Sequence, residues 1–222
     1  PTGYVYSKEE ITNIANLAKK NDLFIVVDEV YREFIYTDTK HFSILEDEKF
    51  SENAILIDSI SKRYSLCGAR VGFIVSKNSE FIDTCLKFAL ARLSPPTLAL
   101  IAANHALSSS DSYIKNVIRE YYQRREVIID ELSKIDNIKF SNPMGAFYSI
   151  IKLPVENAED FAKFLLTDFS YKNQSVMLSP ASGFYSSENY GKDEVRIAFV
   201  LNSEKLKNAT KIIKIGLKEF IG

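Results

Sequence analysis

The sequence predicts an α/β domain followed by a smaller α+β domain, and three observations carry that reading. Short continuous apolar runs rich in β-branched residues, at 23–27, 54–57 and 71–75, have the composition of parallel strands buried on both faces. They alternate with stretches of helical periodicity, which is the pattern of a layered α/β structure. In the second half of the chain a long helix leads into short strands and further helices, an α+β arrangement.

The elements follow in order. Residues 7–20 form an amphipathic helix with Ser7 as N-cap and Ile11, Ile14, Ala15, Leu17 and Ala18 on its apolar face. Helical periodicity returns at 79–93. It returns again after Pro95 and Pro96, where Thr97 is the expected cap of a helix reaching Leu107. Residues 110–135 read as one long helix, with Ile114, Ile118, Tyr121, Ile128 and Leu132 along one side. Strands are expected at 138–140 and 146–151, a helix at 158–166, strands at 176–178 and 195–200, and a closing helix from Ser203. The domain boundary is placed inside the long helix, giving domains 1–115 and 116–222.

Composition narrows the function classes. With 28 Lys and Arg against 29 Asp and Glu, the net charge of −1 gives no electrostatic case for nucleic acid or an anionic membrane surface. No apolar run approaches the length of a membrane span. Two cysteines, Cys67 and Cys85, do not make a disulfide framework, and a reducing cytoplasm is the expected location. No metal site is expected.

The chemistry-bearing residues sit where an α/β sheet presents its ligands, at the carboxyl ends of strands. Asp28 follows the 23–27 run directly; by itself it would be a strand-end aspartate capping a turn. Tyr31 comes three residues later, and a lone tyrosine is ordinarily a core residue with a satisfied hydroxyl. The 54–57 run leads into Ser59, Ser61, Lys62 and, eight residues on, Arg70 between Gly68 and Gly72. A lysine that attacks a carbonyl must be partly neutral, and neighbouring cations such as Arg63 and Arg70 favour that state; most lysines are solvated surface groups. A guanidinium matches a phosphate or carboxylate with paired donors, which gives Arg70 and Arg196 their interest. Arg196 alternates along a strand, where a solvated polar position is equally compatible.

Taken together, Asp28-Glu-Val-Tyr31, Ser59-Ile-Ser61-Lys62 and Gly68-Ala-Arg70-Val-Gly72 resemble the fold-type I pyridoxal-5'-phosphate (PLP) aminotransferases of class I/II, the aspartate aminotransferase group. The resemblance runs from Pro1 to the C-terminus. It implies the later part of a large PLP-binding domain, mostly parallel sheet with helices, followed by a small C-terminal α+β domain. By that resemblance Lys62 is the catalytic Schiff-base lysine, and Asp28 faces the pyridine nitrogen. Tyr31 bonds the phenolic oxygen, while Ser59, Ser61 and Arg70 hold the phosphate. Arg196 binds the substrate α-carboxylate. The implied reaction moves an amino group between an L-amino acid, with aspartate first in view, and a 2-oxo acid. A lyase or decarboxylase on the same residues and a PLP-sensing domain of a transcription regulator are the alternatives.

The chain opens on Pro1-Thr2-Gly3, similar to the end of the family's Asn-Pro-x-x-Pro-Thr-Gly segment. An N-terminal half carrying backbone phosphate ligands and a ring-stacking aromatic is therefore expected to precede it. The parent is expected to be a homodimer.

Overall fold

Ser7 opens the first helix, α1 (Lys8–Lys20), through a reciprocal capping box. Its hydroxyl accepts from Glu10 N, and the Glu10 carboxylate accepts from Ser7 N at 2.8 Å. In this computed structural model, which describes residues 1–222 apart from the side chain of Asp111, two compact units are distinguished. One is Val5–Ile118; the other joins Pro1–Tyr4 to Arg119–Gly222.

The Val5–Ile118 unit is built on a three-stranded sheet ordered β1 (Ile25–Asp28), β2 (Ala54–Ser59), β3 (Gly72–Val75). β1 and β2 are parallel, with Val27 opposite Leu56 and Asp28 opposite Ile57. Helix α1 covers one face: Ala15, Ile44, Phe50 and Ala54 form a buried cluster against Ile11, Ile25 and Val27. A second cluster, Ile60, Val71 and Ala103, lies under the turn that follows β2. Its other helices are α2 (Ile60–Arg63), α3 (Ser79–Arg92), α4 (Thr97–Leu107) and the start of α5 (Asp111–Leu132).

Two strand expectations are corrected here. β3 runs antiparallel to β2, with Ser59 opposite Gly72. The connection between them holds a single helical turn and a 3-10 turn. It is too short to cross over, and it reverses direction at Arg70, whose φ of 57° and ψ of 42° are left-handed. Nor is the sheet buried on both faces. Val26 is 62% exposed and Ile74 50%, since the described chain packs α1 on one side and covers the other only in part. Helix α3 has no fully buried residue, and Phe88 on it is 74% exposed. The cap of α4 is Pro96, not Thr97: Pro96 holds an extended ψ of 138° and Thr97 becomes the first helical residue.

The Arg119–Gly222 unit carries a four-stranded antiparallel sheet ordered β4 (Lys139–Phe140), β5 (Tyr148–Lys152), β7 (Glu194–Ala198), β6 (Ser179–Pro180). Helices α6 (Ala158–Thr167) and α7 (Ser203–Ile221) bury their apolar stripes with it, and Ile151, Phe161, Leu165, Val195, Phe199 and Ile212 are essentially inaccessible. The strand expected at 176–178 lies instead at Ser179–Pro180. Pairing to β7 begins only at Ser179, opposite Arg196, and Met177 stays 81% exposed. β6 is an edge strand, where a proline is tolerated.

Gly3 ties the first residues into this unit. Its carbonyl accepts from Met144 N at 2.7 Å and Gly145 N at 2.9 Å. Its φ is +73°, and a Cβ there would stand 2.5 Å from Pro143 Cβ. Gly3→Ala is expected to cost about 1–3 kcal/mol, read as a lower denaturant midpoint with an unchanged slope.

Candidate functional site

Two turns at the carboxyl ends of the parallel strands β1 and β2 gather six of the seven candidate residues. Asp28 is the last residue of β1, exposed, and its Oδ1 accepts from Val30 N at 3.1 Å. That bond caps the turn and leaves most of the carboxylate's acceptor capacity open. The turn continues through Tyr31, half-buried and edge-on to buried Phe34 with ring centroids 6.1 Å apart. Lys62 projects from α2, and its Nζ lies 5.9 Å from the centre of the Tyr31 ring. Thus the lysine and the tyrosine, 31 positions apart in sequence, face one another.

Ser59 caps α2, its Oγ accepting from Ser61 N at 3.0 Å. The same Oγ is 2.7 Å from Ser61 Oγ and donates to the Val71 carbonyl at 2.8 Å. Both hydroxyls and Arg70 line an open pocket of about 620 Å³ that continues along α3 past Cys85 to Pro95. Arg70 is exposed; one Nη bonds the Cys67 carbonyl at 2.9 Å, and a guanidinium has further donors to offer. Lys62, Asp28 and Tyr31 are outside that pocket's lining. The pocket thus gathers two hydroxyls and a guanidinium, while the amine, phenol and carboxylate lie outside its lining.

Arg196 belongs to the other compact unit and sits on β7 opposite Ile150. Its guanidinium carbon lies 4.7 Å from the Tyr148 ring centre and 5.0 Å from that of Phe184, so two aromatic faces hold it.

Three features escaped the sequence reading. Arg63, expected as a free cation beside Lys62, is buried and neutralised. Its Nη2 donates to both Asp58 oxygens at 3.0 and 2.7 Å, and its Nε is 3.1 Å from Glu33 Oε1. The second is the Tyr148–Arg196–Phe184 stack. The third is Glu29, only 3% exposed, which accepts from Ser43 Oγ, Ile44 N and His41 Nε2 at 2.9, 3.1 and 2.8 Å. Nothing in the spacing of these residues marks them; the signal available was the density of charge in residues 28–33, directly after an apolar strand.

Burial pushes the Glu29 carboxyl upward, but the hydrogen bonds from His41, Ser43 and Ile44 outweigh it and hold it below its ordinary value of 4.5. A carboxyl held low contributes stability that is present above 4.5 and lost as pH falls through its lower folded value. Glu29→Gln is therefore expected to cost about 2–3 kcal/mol at neutral pH and to flatten the acid side of the profile of melting temperature against pH.

The donor set suits one kind of group. A primary amine, a facing phenol, a carboxylate, two hydroxyls and a guanidinium near the ends of parallel strands are chemically compatible with a phosphorylated pyridine aldehyde. Among the described residues no group of three or more His, Cys, Asp or Glu side chains is placed to hold a metal ion. No helix among them is long and apolar enough to cross a membrane.

An α/β unit with a lysine in the turn after a parallel strand, in one chain with a small antiparallel unit, agrees with the PLP-dependent transferase class that the sequence resembles. The comparisons agree. The model of the family described as "Aminotransferase class I and II" matches residues 1–213, and the chain belongs to that family. It is similar to an aspartate aminotransferase of Pyrococcus horikoshii, 30% identical over 98% of this chain and 54% of that protein. It is likewise similar to an aromatic-amino-acid aminotransferase of Thermococcus litoralis, 30% identical over 99% of this chain and 55% of that protein. The crystal structure of an aromatic aminotransferase from Pyrococcus horikoshii superposes with a TM-score of 0.86 at 29% identity, over the whole chain and 58% of its own. The chain spans about half the length of the curated relatives it matches.

Proposed function

We propose that this chain carries the lysine-bearing part of a PLP-dependent aminotransferase acting on an L-amino acid and a 2-oxo acid. The observation that carries the reading is the approach of Lys62 Nζ to the Tyr31 ring, with Lys62 following directly on the Ser59 and Ser61 hydroxyls that line a pocket together with Arg70. In this reading Lys62 is the covalent anchor and the base, Arg70 with Ser59 and Ser61 binds the phosphate, and Asp28 holds a proton on the ring nitrogen. Tyr31 would donate a hydrogen bond to the cofactor's phenolic oxygen. Bound PLP supplies an electron-withdrawing ring that stabilises a carbanion at the substrate's Cα. Lys62 Nζ then takes the Cα proton and returns it, a shuttle that needs the amine neutral at that moment. Arg196 binds the substrate carboxylate through paired donors, and the flanking rings of Tyr148 and Phe184 keep its plane fixed.

Several relatives are named for aspartate and others for aromatic amino acids, which supports an L-amino acid donor, aspartate first. The protein is further proposed to work as a homodimer in the cytoplasm. The test is to incubate the gene product with PLP, aspartate and 2-oxoglutarate and follow both keto acids and released CO2. Transfer of the amino group without CO2 supports the reading; CO2 or ammonia as the main product would replace it with a decarboxylase or lyase. Arg196→Leu is expected to raise KM for the amino acid by about 10–100-fold, equivalent to the loss of one charge-assisted hydrogen bond of 1.5–3 kcal/mol.

A further inference from the structure

We infer that Arg63, together with Asp58, Glu33 and Arg32, is a positioning device that fixes Lys62 relative to Tyr31. This inference rests on the proposed role of Lys62. The four side chains form one cluster bridging the turn after β1 and the turn after β2. Arg63 is 5% exposed and Asp58 7%. Arg63 Nη2 grips both Asp58 oxygens, while Asp58 Oδ1 also accepts from Ser59 N at 2.7 Å, so the turn holding Lys62 is closed on itself. Across the gap, Glu33 Oε1 lies 3.1 Å from Arg63 Nε and 3.0 Å from Arg32 Nε, and Arg32 Nη1 is 3.6 Å from Asp58 Oδ2. The Arg63–Glu33 contact is a charge contact without hydrogen-bond alignment.

Two arguments turn this cluster from a stability element into a positioning one. Apolar side chains of similar volume would stabilise such a site as well or better, because desolvating charges offsets their attraction. What ion pairs supply and leucine does not is direction, here between two turns that carry Asp28, Tyr31, Ser59, Ser61 and Lys62. The second argument is charge. Two cations and two carboxylates sum to zero, so the cluster fixes the backbone one residue from Lys62 without adding net charge beside its amine. Of the four, Asp58 alone lines the pocket, which fits a cluster acting on the site through others.

The test uses the gene product loaded with PLP and the variants Arg63→Lys, Glu33→Gln and Arg32→Lys. Lysine keeps the charge but has one nitrogen in place of the two that face Asp58 and Glu33. Arg32, 35% exposed at the rim, provides a variant that folds even if the buried ones do not. The expected result is a fall in kcat of about 10–100-fold, with amino-acid KM changed less than about threefold. The visible circular dichroism of the bound cofactor should weaken in parallel. Variants that lose only melting temperature while kcat and the dichroism band stay at wild-type values would overturn the inference and leave a purely structural cluster. Failure of the wild-type protein to form a borohydride-stable adduct at Lys62 would overturn the underlying reading instead, and the inference with it.

Discussion

Lys62→Ala is expected to abolish amino-group transfer, with turnover reduced by at least about 10⁴-fold, while the melting temperature of the cofactor-free protein changes little. The side chain projects, half-buried, from the single-turn helix α2, and its ammonium faces the Tyr31 ring. Its removal creates no core cavity. The proposed chemistry asks this one amine to be covalent anchor, proton acceptor and proton donor, so no neighbour replaces it. Lys62→Arg is expected to fail equally, because a guanidinium keeps the charge but neither condenses with an aldehyde nor gives up its proton near neutral pH. Retained transfer in either variant would remove Lys62 from the mechanism.

Arg63→Met is expected to be the most destabilising charge substitution in the Val5–Ile118 unit, at about 3–5 kcal/mol. It leaves Asp58, only 7% exposed, with the Ser59 N–H and the distant edge of Arg32 at 3.6 Å, and removes the contact to Glu33. Adding Asp58→Leu should restore part of that loss, because Arg32 and Glu33 still pair with each other at 3.0 Å and no buried carboxylate is then left over. Denaturant unfolding of the two single variants and the double variant measures the coupling directly. Strictly additive losses would mean that Asp58 and Arg63 contribute independently, contrary to the contact of Arg63 Nη2 with both carboxylate oxygens.

Much of the fold was legible because the local signals were strong and agreed. The Ser7–Glu10 box fixes the start of α1 to the residue, and the β-branched runs mark β1 and β2. The direction of β3 was not legible: a four-residue apolar run reads the same either way, and the reversal is made by a left-handed Arg70, which no propensity favours. Exposure of Val26 and Ile74 was equally hidden, since composition records that a residue is apolar and not whether the described chain covers it. Within the candidate site, Lys62, Asp28, Tyr31, Ser59, Ser61 and Arg70 stood out through their spacing. Arg63, Asp58, Glu33 and Arg32 did not, because buried ion pairs between segments 25 or more residues apart use residue types that normally mark a solvated surface. The same holds for the Glu29–His41 contact and the rings beside Arg196.

The most direct test of the central claim is borohydride reduction of the PLP-treated gene product, followed by intact mass and peptide mapping. The account predicts one pyridoxyl group per chain, located on Lys62. An adduct spread over several lysines, or confined to a different one, would contradict it.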